Sequence, residues 1–191
     1  MTITNNRGEL FRLLLRDAYE QKTVKLASGR ESDFYIDCRQ VTLTALGHFL
    51  VGRVLLHELA GRTLAAVGGL ELGACPLISA VSTLSLVADG AQPQAYDGFY
   101  VRKATKDHGA KKLIEGANGF IKGCPVAIIE DVTTTGGSAL QAVQAARDAG
   151  MDVKLVMTLV DREEGGRESI ERFVPFQAIF TASDFRRGFL R

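Results

Sequence analysis

The residues best suited to chemistry lie in one run, Val126-Ala127-Ile128-Ile129-Glu130-Asp131-Val132-Thr133-Thr134-Thr135-Gly136-Gly137-Ser138. An apolar, β-branched stretch ends in two adjacent carboxylates, and a turn of hydroxyls and glycines follows. If that turn opens a helix, unpaired backbone N–H groups and the positive end of the helix dipole together bind a phosphate without any lysine. Gly136 and Gly137 permit close approach, and the hydroxyls of Thr133, Thr134, Thr135 and Ser138 donate further hydrogen bonds. Glu130 and Asp131 cannot hold a phosphate, but they can accept hydrogen bonds from two neighbouring sugar hydroxyls or approach a hard cation. Ribose 5-phosphate satisfies both halves of the run. The plainer alternative is a strand, a turn and a capped helix with no ligand, where Thr and Ser are also favoured. Two consecutive acids at the end of a buried strand then have no evident use. The run contains no Gly-Lys-Ser or Gly-Lys-Thr, which disfavours a nucleotide triphosphatase loop.

This stretch resembles the PRPP-binding motif of type I phosphoribosyltransferases, PRPP being 5-phosphoribosyl-1-pyrophosphate. A second segment, Arg102-Lys103-Ala104-Thr105-Lys106-Asp107-His108-Gly109, resembles the mobile catalytic loop of the orotate phosphoribosyltransferase family. The leaving pyrophosphate gains charge as the C1–O bond breaks, so cations closing over it stabilise the transition state more than the ground state. Arg102, Lys103, Lys106 and His108 suit that task, although a solvated basic loop has the same composition. In the family this loop crosses a dimer interface. The resemblance therefore implies a homodimer in which Arg102, Lys106 and His108 act on the neighbouring site and Lys103 on its own.

In Leu159-Val160-Asp161-Arg162-Glu163-Glu164-Gly165-Gly166, a strand delivers Arg162 to the same edge as Glu130 and Asp131. An arginine fork pairs bidentately with a carboxylate, the group that distinguishes orotate from uracil. The resemblance places the orotate-selecting arginine here, with Thr134 beside the base; a surface salt bridge is the other reading of Arg162. Ser28-Gly29-Arg30-Glu31-Ser32-Asp33-Phe34-Tyr35 resembles the family's early loop, making Phe34 and Tyr35 candidates for covering the pyrimidine or for core packing. The stretch from Gly68 to Leu77 corresponds to the pyrophosphate loop, but Gly73 and Ala27 stand where several members have lysine. That departure places more weight on the catalytic loop. The resemblance also implies Mg²⁺, held mainly by PRPP and near Glu130 and Asp131.

The elements that must position these groups are legible from periodicity. Helical spacing runs from Glu9 to Tyr19, from Leu43 to Leu59, from Pro76 to Ala88 and from Gln141 to Ala149. Short apolar or aromatic runs predict strands at Phe34–Ile36, at Leu64–Val67 with a loop beginning at Gly68-Gly69, and at Phe99–Val101. Two more are expected at Pro125–Ile129 and Leu155–Val160. Strands alternating with helices imply an α/β fold, a doubly wound and mostly parallel sheet flanked by helices. The resemblance adds a small N-terminal hood and the long mobile loop, which the charges and glycines of 102–119 also suggest.

Residues 1–191, 46% apolar, are read as a single domain. The 23 basic and 22 acidic residues give a formal net charge of +1, which draws the chain neither to nucleic acid nor to an anionic membrane. No apolar run is long enough to span a bilayer, and the first 20 residues lack the uninterrupted apolar core of a signal peptide. Three widely spaced cysteines, Cys38, Cys75 and Cys124, read as reduced thiols of a cytoplasmic protein. A phosphoribosyltransferase for another base would share the PRPP motif but would need neither Arg162 nor the basic loop. A PRPP-sensing regulator of nucleic acid would need a basic face or an added domain, which charge and length disfavour.

Overall fold

The computed structural model describes residues 3–22, 24–25, 31–87, 94–104, 113–116, 119 and 122–188. The chain opens with α1 (Ile3–Leu13), which passes into a π-helical turn at Leu14–Ala18. Four short strands follow: β1 (Tyr19–Glu20), β2 (Val24–Lys25), β3 (Glu31–Ser32) and β4 (Tyr35–Ile36). β1 pairs with β4 and β2 with β3, both antiparallel, forming the small N-terminal layer anticipated as a hood. Next come α2 (Arg39–Thr42), α3 (Ala45–Leu59), β5 (Ala66–Leu70), α4 (Ala74–Val87), β6 (Asp97–Val101) and β7 (Ile114–Glu115). The remainder is β8 (Pro125–Thr133), α5 (Gly137–Asp148), β9 (Asp152–Asp161), α6 (Gly166–Glu171), β10 (Phe176–Thr181) and α7 (Ala182–Arg186).

Six strands form the central sheet in the order β10-β9-β8-β5-β6-β7. Every neighbouring pair is parallel except β6 and β7. A sheet covered on both faces buries successive residues in opposite directions, which explains why β8 and β9 are almost continuously apolar. Ala127 and Ile129 pack into the cluster that contains Leu50, Leu55 and Leu77, on the side of α1, α3 and α4. Val126 and Ile128 pack into the other, against Ala139, Ala142 and Ala146 of α5. Small alanines bring α5 close to the sheet, and the start of α5 is thereby held beside the end of β8.

Several boundaries differ from those read in the sequence. Gly68 and Gly69 belong to β5, not to the loop after it. A Cβ on Gly68 would strike the Phe99 ring, and one on Gly69 would strike the Ile129 carbonyl oxygen, so these glycines serve close packing between strands. β8 continues through Glu130 and Asp131 to Thr133, and α5 starts at Gly137, four residues before the expected Gln141. The first helix begins at Ile3 instead of Glu9.

Candidate active site

The chain leaves β5 through α4 toward β6 on one side, while β8 pairs with β5 on the other. Connections departing in opposite directions open a crevice beyond the carboxyl ends of β5 and β8, where doubly wound sheets bind ligands. A cavity of about 430 Å³ occupies that position, and Tyr35, Arg39, Glu71, Lys103, Glu130 and Asp131 are among the residues lining it. A second cavity, about 160 Å³, is lined by the turn from Val132 to Ala139. Glu130 borders both.

The turn has the form that the hydroxyl–glycine run anticipates. Gly136 sits at the helix N-cap with φ 85°, a left-handed conformation that costs a residue with a Cβ about 1–2 kcal/mol. No side chain caps α5, so the N–H groups of its first turn keep their capacity for an anion. Thr133 Oγ1 is buried without a hydrogen-bond partner beside them.

Glu130 is only 6% exposed, and its Oε2 is buried with no hydrogen-bond partner among the described residues. Burial pushes its carboxyl well above the usual range, the neighbouring Asp131 adds to the rise, and Lys103 opposes it. Burial also raises Asp131, against hydrogen bonds and the nearby Arg39 guanidinium, which draw it down. The site therefore holds two acids that favour sharing a proton until a cation or hydroxyl donors enter. Among the described residues no group of three or more His, Cys, Asp or Glu side chains could hold a metal alone. Two carboxylates beside an anion site nevertheless suit Mg²⁺, which is commonly bound through one or two carboxylates together with substrate phosphates.

Arg162 follows β9 directly. Its Nη2 donates to the Phe34 carbonyl at 2.7 Å and pairs with Glu164 Oε1 at 2.9 Å. The two side chains are 10% and 15% exposed, so this is a nearly buried pair and not the surface salt bridge that the sequence also allowed. The Arg162 guanidinium lies 5.7 Å from the centre of the Phe34 ring. That ring is 1% exposed and packs on Tyr19 and Phe185, with centroids at 4.9 and 5.6 Å. Of the two aromatic candidates, Phe34 thus has its ring in the core and reaches the site through its carbonyl, while Tyr35 lines the large cavity. Thr134 and Thr135 line the smaller cavity with Gly137 and Ser138.

Arg102 and Lys103 stand at the root of the basic segment. Arg102 donates its N–H to Leu113 at 2.8 Å, and its guanidinium lies 3.6 Å from Glu115. The Lys103 N–H donates to Glu71 Oε1 at 3.0 Å, and Gln141 Nε2 donates to the Lys103 carbonyl at 3.4 Å. Lys106 and His108 lie outside the described residues, as do Ala27 and Ser28–Arg30. At Gly73, where the resemblance leads to the expectation of a lysine, a Cβ would collide with the Asp131 carboxylate.

Arg39 and Glu71 are among the cavity residues not singled out in the sequence. Arg39 is held by Asp37 through Nε–Oδ1 at 2.8 Å and Nη2–Oδ2 at 3.1 Å. Glu71 joins two loops that are distant in the chain. Glu71 lies within the stretch matched to the pyrophosphate loop but was given no role of its own, Arg39 belongs to no spacing that signals chemistry, and both acquire their place only when the hood and the loops meet the sheet.

No protein-family model matches the chain. Among curated proteins, the orotate phosphoribosyltransferase of Sorangium cellulosum (strain So ce56) is 51% identical over 183 residues, covering 95% of this chain and 93% of that protein. The crystal structure of Mycobacterium tuberculosis H37Rv orotate phosphoribosyltransferase in complex with Fe(III) dicitrate superposes with TM-score 0.79 at 39% identity, covering 94% of this chain and 98% of that one. The same enzyme in complex with PRPP gives TM-score 0.75 at 36% identity, with 95% and 99% covered.

Proposed function

We propose, from the premise that the chain belongs to the orotate phosphoribosyltransferase family, that its two adjoining cavities hold PRPP and orotate. The reaction is transfer of the 5-phosphoribosyl group of PRPP to N1 of orotate, giving orotidine 5′-monophosphate and pyrophosphate, a step of pyrimidine biosynthesis. The observation that carries the assignment is Glu130, a buried acid beside Asp131, which borders both the smaller cavity at the start of α5 and the larger one at the switch point.

In this reading the turn formed by Thr133, Thr134, Thr135, Gly136, Gly137 and Ser138 takes the 5-phosphate. Glu130 and Asp131 accept hydrogen bonds from the ribose hydroxyls, which orients C1 toward the larger cavity. Arg162 fixes the carboxylate of orotate, with Thr134 and the Tyr35 ring near the base and the Phe34 carbonyl holding the guanidinium in place. The deprotonated N1 of orotate bonds to C1 as the bond from C1 to the pyrophosphate oxygen breaks, with inversion at C1. Lys103 and Arg102, joined by Lys106 and His108, stabilise the charge that collects on the departing pyrophosphate. Positioning and exclusion of water supply the rate without a covalent intermediate. Mg²⁺, when bound with PRPP, neutralises pyrophosphate charge. The same reading takes 1–191 as one domain of a cytoplasmic homodimer, with Arg102, Lys106 and His108 completing the neighbour's site.

The test is the loss of orotate absorbance when PRPP is added to the purified protein, with and without Mg²⁺, beside uracil, hypoxanthine and adenine. Magnesium-dependent consumption of orotate alone is expected. Turnover of another base without orotate would leave the PRPP assignments standing and overturn that of Arg162.

A further inference from the structure

Glu71 occupies an unusual crossing point. Its backbone N–H donates to the Val101 carbonyl at 2.8 Å, which extends the pairing of β5 with β6 by one step. Its side chain then reaches two residues farther along the same chain and accepts the Lys103 N–H at 3.0 Å. On the other side of that residue, Gln141 of α5 donates to the Lys103 carbonyl at 3.4 Å. Both peptide groups of Lys103 are therefore held by side chains, one from the loop after β5 and one from the helix that begins at the phosphate turn. The opposite stem is fixed by the pairing of β6 with β7 and by the Arg102 N–H to Leu113. Glu71 and Lys103 line the same cavity as Glu130 and Asp131. The Lys103 charge is felt at Glu130, whose carboxyl it draws down against burial.

We infer that Glu71 is a positioning residue, which anchors the root of the basic segment to the loop after β5 and so presents Lys103 to the departing pyrophosphate. The inference rests on the proposed role of Lys103. Carboxylate acceptors hold backbone N–H groups more strongly than neutral ones, which suits a joint at an exposed cavity rim where water competes. A glutamine keeps an acceptor oxygen at nearly the same place. Alanine or leucine removes it, and leucine also keeps the bulk. Because Glu71 lies at the rim and not in the core, none of the three replacements opens an apolar cavity.

Steady-state kinetics of the full chain decides the matter. Glu71→Ala and Glu71→Leu each lower kcat about tenfold, the smallest loss expected for a hydrogen bond to a charged group, while KM for PRPP stays within about twofold. Glu71→Gln stays within about threefold of the parent. Because Glu71 acts through Lys103, adding Glu71→Ala to Lys103→Ala lowers kcat no further. Equal losses for glutamine and alanine, or losses that multiply in the double variant, overturn the inference while leaving Lys103 in its role. A Lys103→Ala enzyme with the parent's kcat overturns the role of Lys103 itself, and that of Glu71 with it.

Discussion

Replacing Arg162 with alanine carries two costs that can be separated. The guanidinium and the Glu164 carboxylate are 10% and 15% exposed and lie 2.9 Å apart. Removing Arg162 takes a charge-assisted hydrogen bond from the Glu164 carboxylate, about 1.5–3 kcal/mol, and the residual exposure here favours about 2 kcal/mol. For a chain of 191 residues, each kcal/mol moves the melting temperature by about 2–4 °C, so Arg162→Ala melts about 4–8 °C lower. The second cost falls on orotate. A charge-assisted hydrogen bond contributes about 1.5–3 kcal/mol, so kcat/KM for orotate drops about 10- to 150-fold. Adding Glu164→Gln removes the charge that lost its Arg162 pairing but restores nothing for the substrate. The double variant Arg162→Ala/Glu164→Gln should therefore recover part of the lost melting temperature while its kcat/KM for orotate remains low. Thermal melts beside the absorbance assay read both quantities. If kcat/KM recovers together with stability, the loss came from a disturbed fold, and Arg162 is not the partner of the orotate carboxylate.

The remaining predictions concern the acids, the loop after β5 and the assembly. The folded-state pKa of Glu130 is raised by burial and by Asp131, with Lys103 opposing. Between its ordinary value and the raised one the native state binds more protons than the unfolded chain, so substrate-free stability falls as pH rises. Glu130→Gln should accordingly melt above the parent at about pH 8, with the advantage shrinking toward about pH 4, and it should bind PRPP at least about tenfold more weakly; an advantage that grows on acidification contradicts this account. Gly73→Lys supplies the lysine that the resemblance leads one to expect but drives a Cβ into the Asp131 carboxylate; urea unfolding should show a loss of about 1–3 kcal/mol and turnover should fall, whereas a gain in either would mean that Asp131 yields freely. If Lys106 acts across a dimer, mixing Lys106→Ala with Arg162→Ala subunits leaves one intact site in each mixed dimer. About a quarter of parental activity should then appear after random exchange, against none if Lys106 serves its own subunit.

The legible part of the site was the part contiguous in the chain. Glu130 to Ser138 form one strand–turn–helix passage, and each property of that passage, from the β-branched run to the glycines and the missing lysine, is local. Arg162 could be placed because a strand's end fixes the edge it reaches. Gly68 and Gly69 misled for the converse reason. A glycine pair ordinarily signals a turn, but here the missing side chains make room for the Phe99 ring and the Ile129 carbonyl, contacts that no window of sequence contains. Phe34, Tyr35 and Ile36 alternate buried, half-buried and buried, so only the middle ring can face the cavity. Reading the pair Phe34-Tyr35 as one aromatic feature concealed that alternation. Arg39 carried no signal and Glu71 only that of the loop it belongs to, since their contacts depend on which loops meet above the sheet. The energetics were hidden as well. Two adjacent acids suggest a ligand, but only their burial shows that the ligand-free protein keeps charge-bearing groups where ionisation is costly. In the proposed reading, hydrogen bonds from ribose hydroxyls and the field of a cation would offset that cost, so the destabilised pair would favour a ligand that supplies both over a phosphate alone.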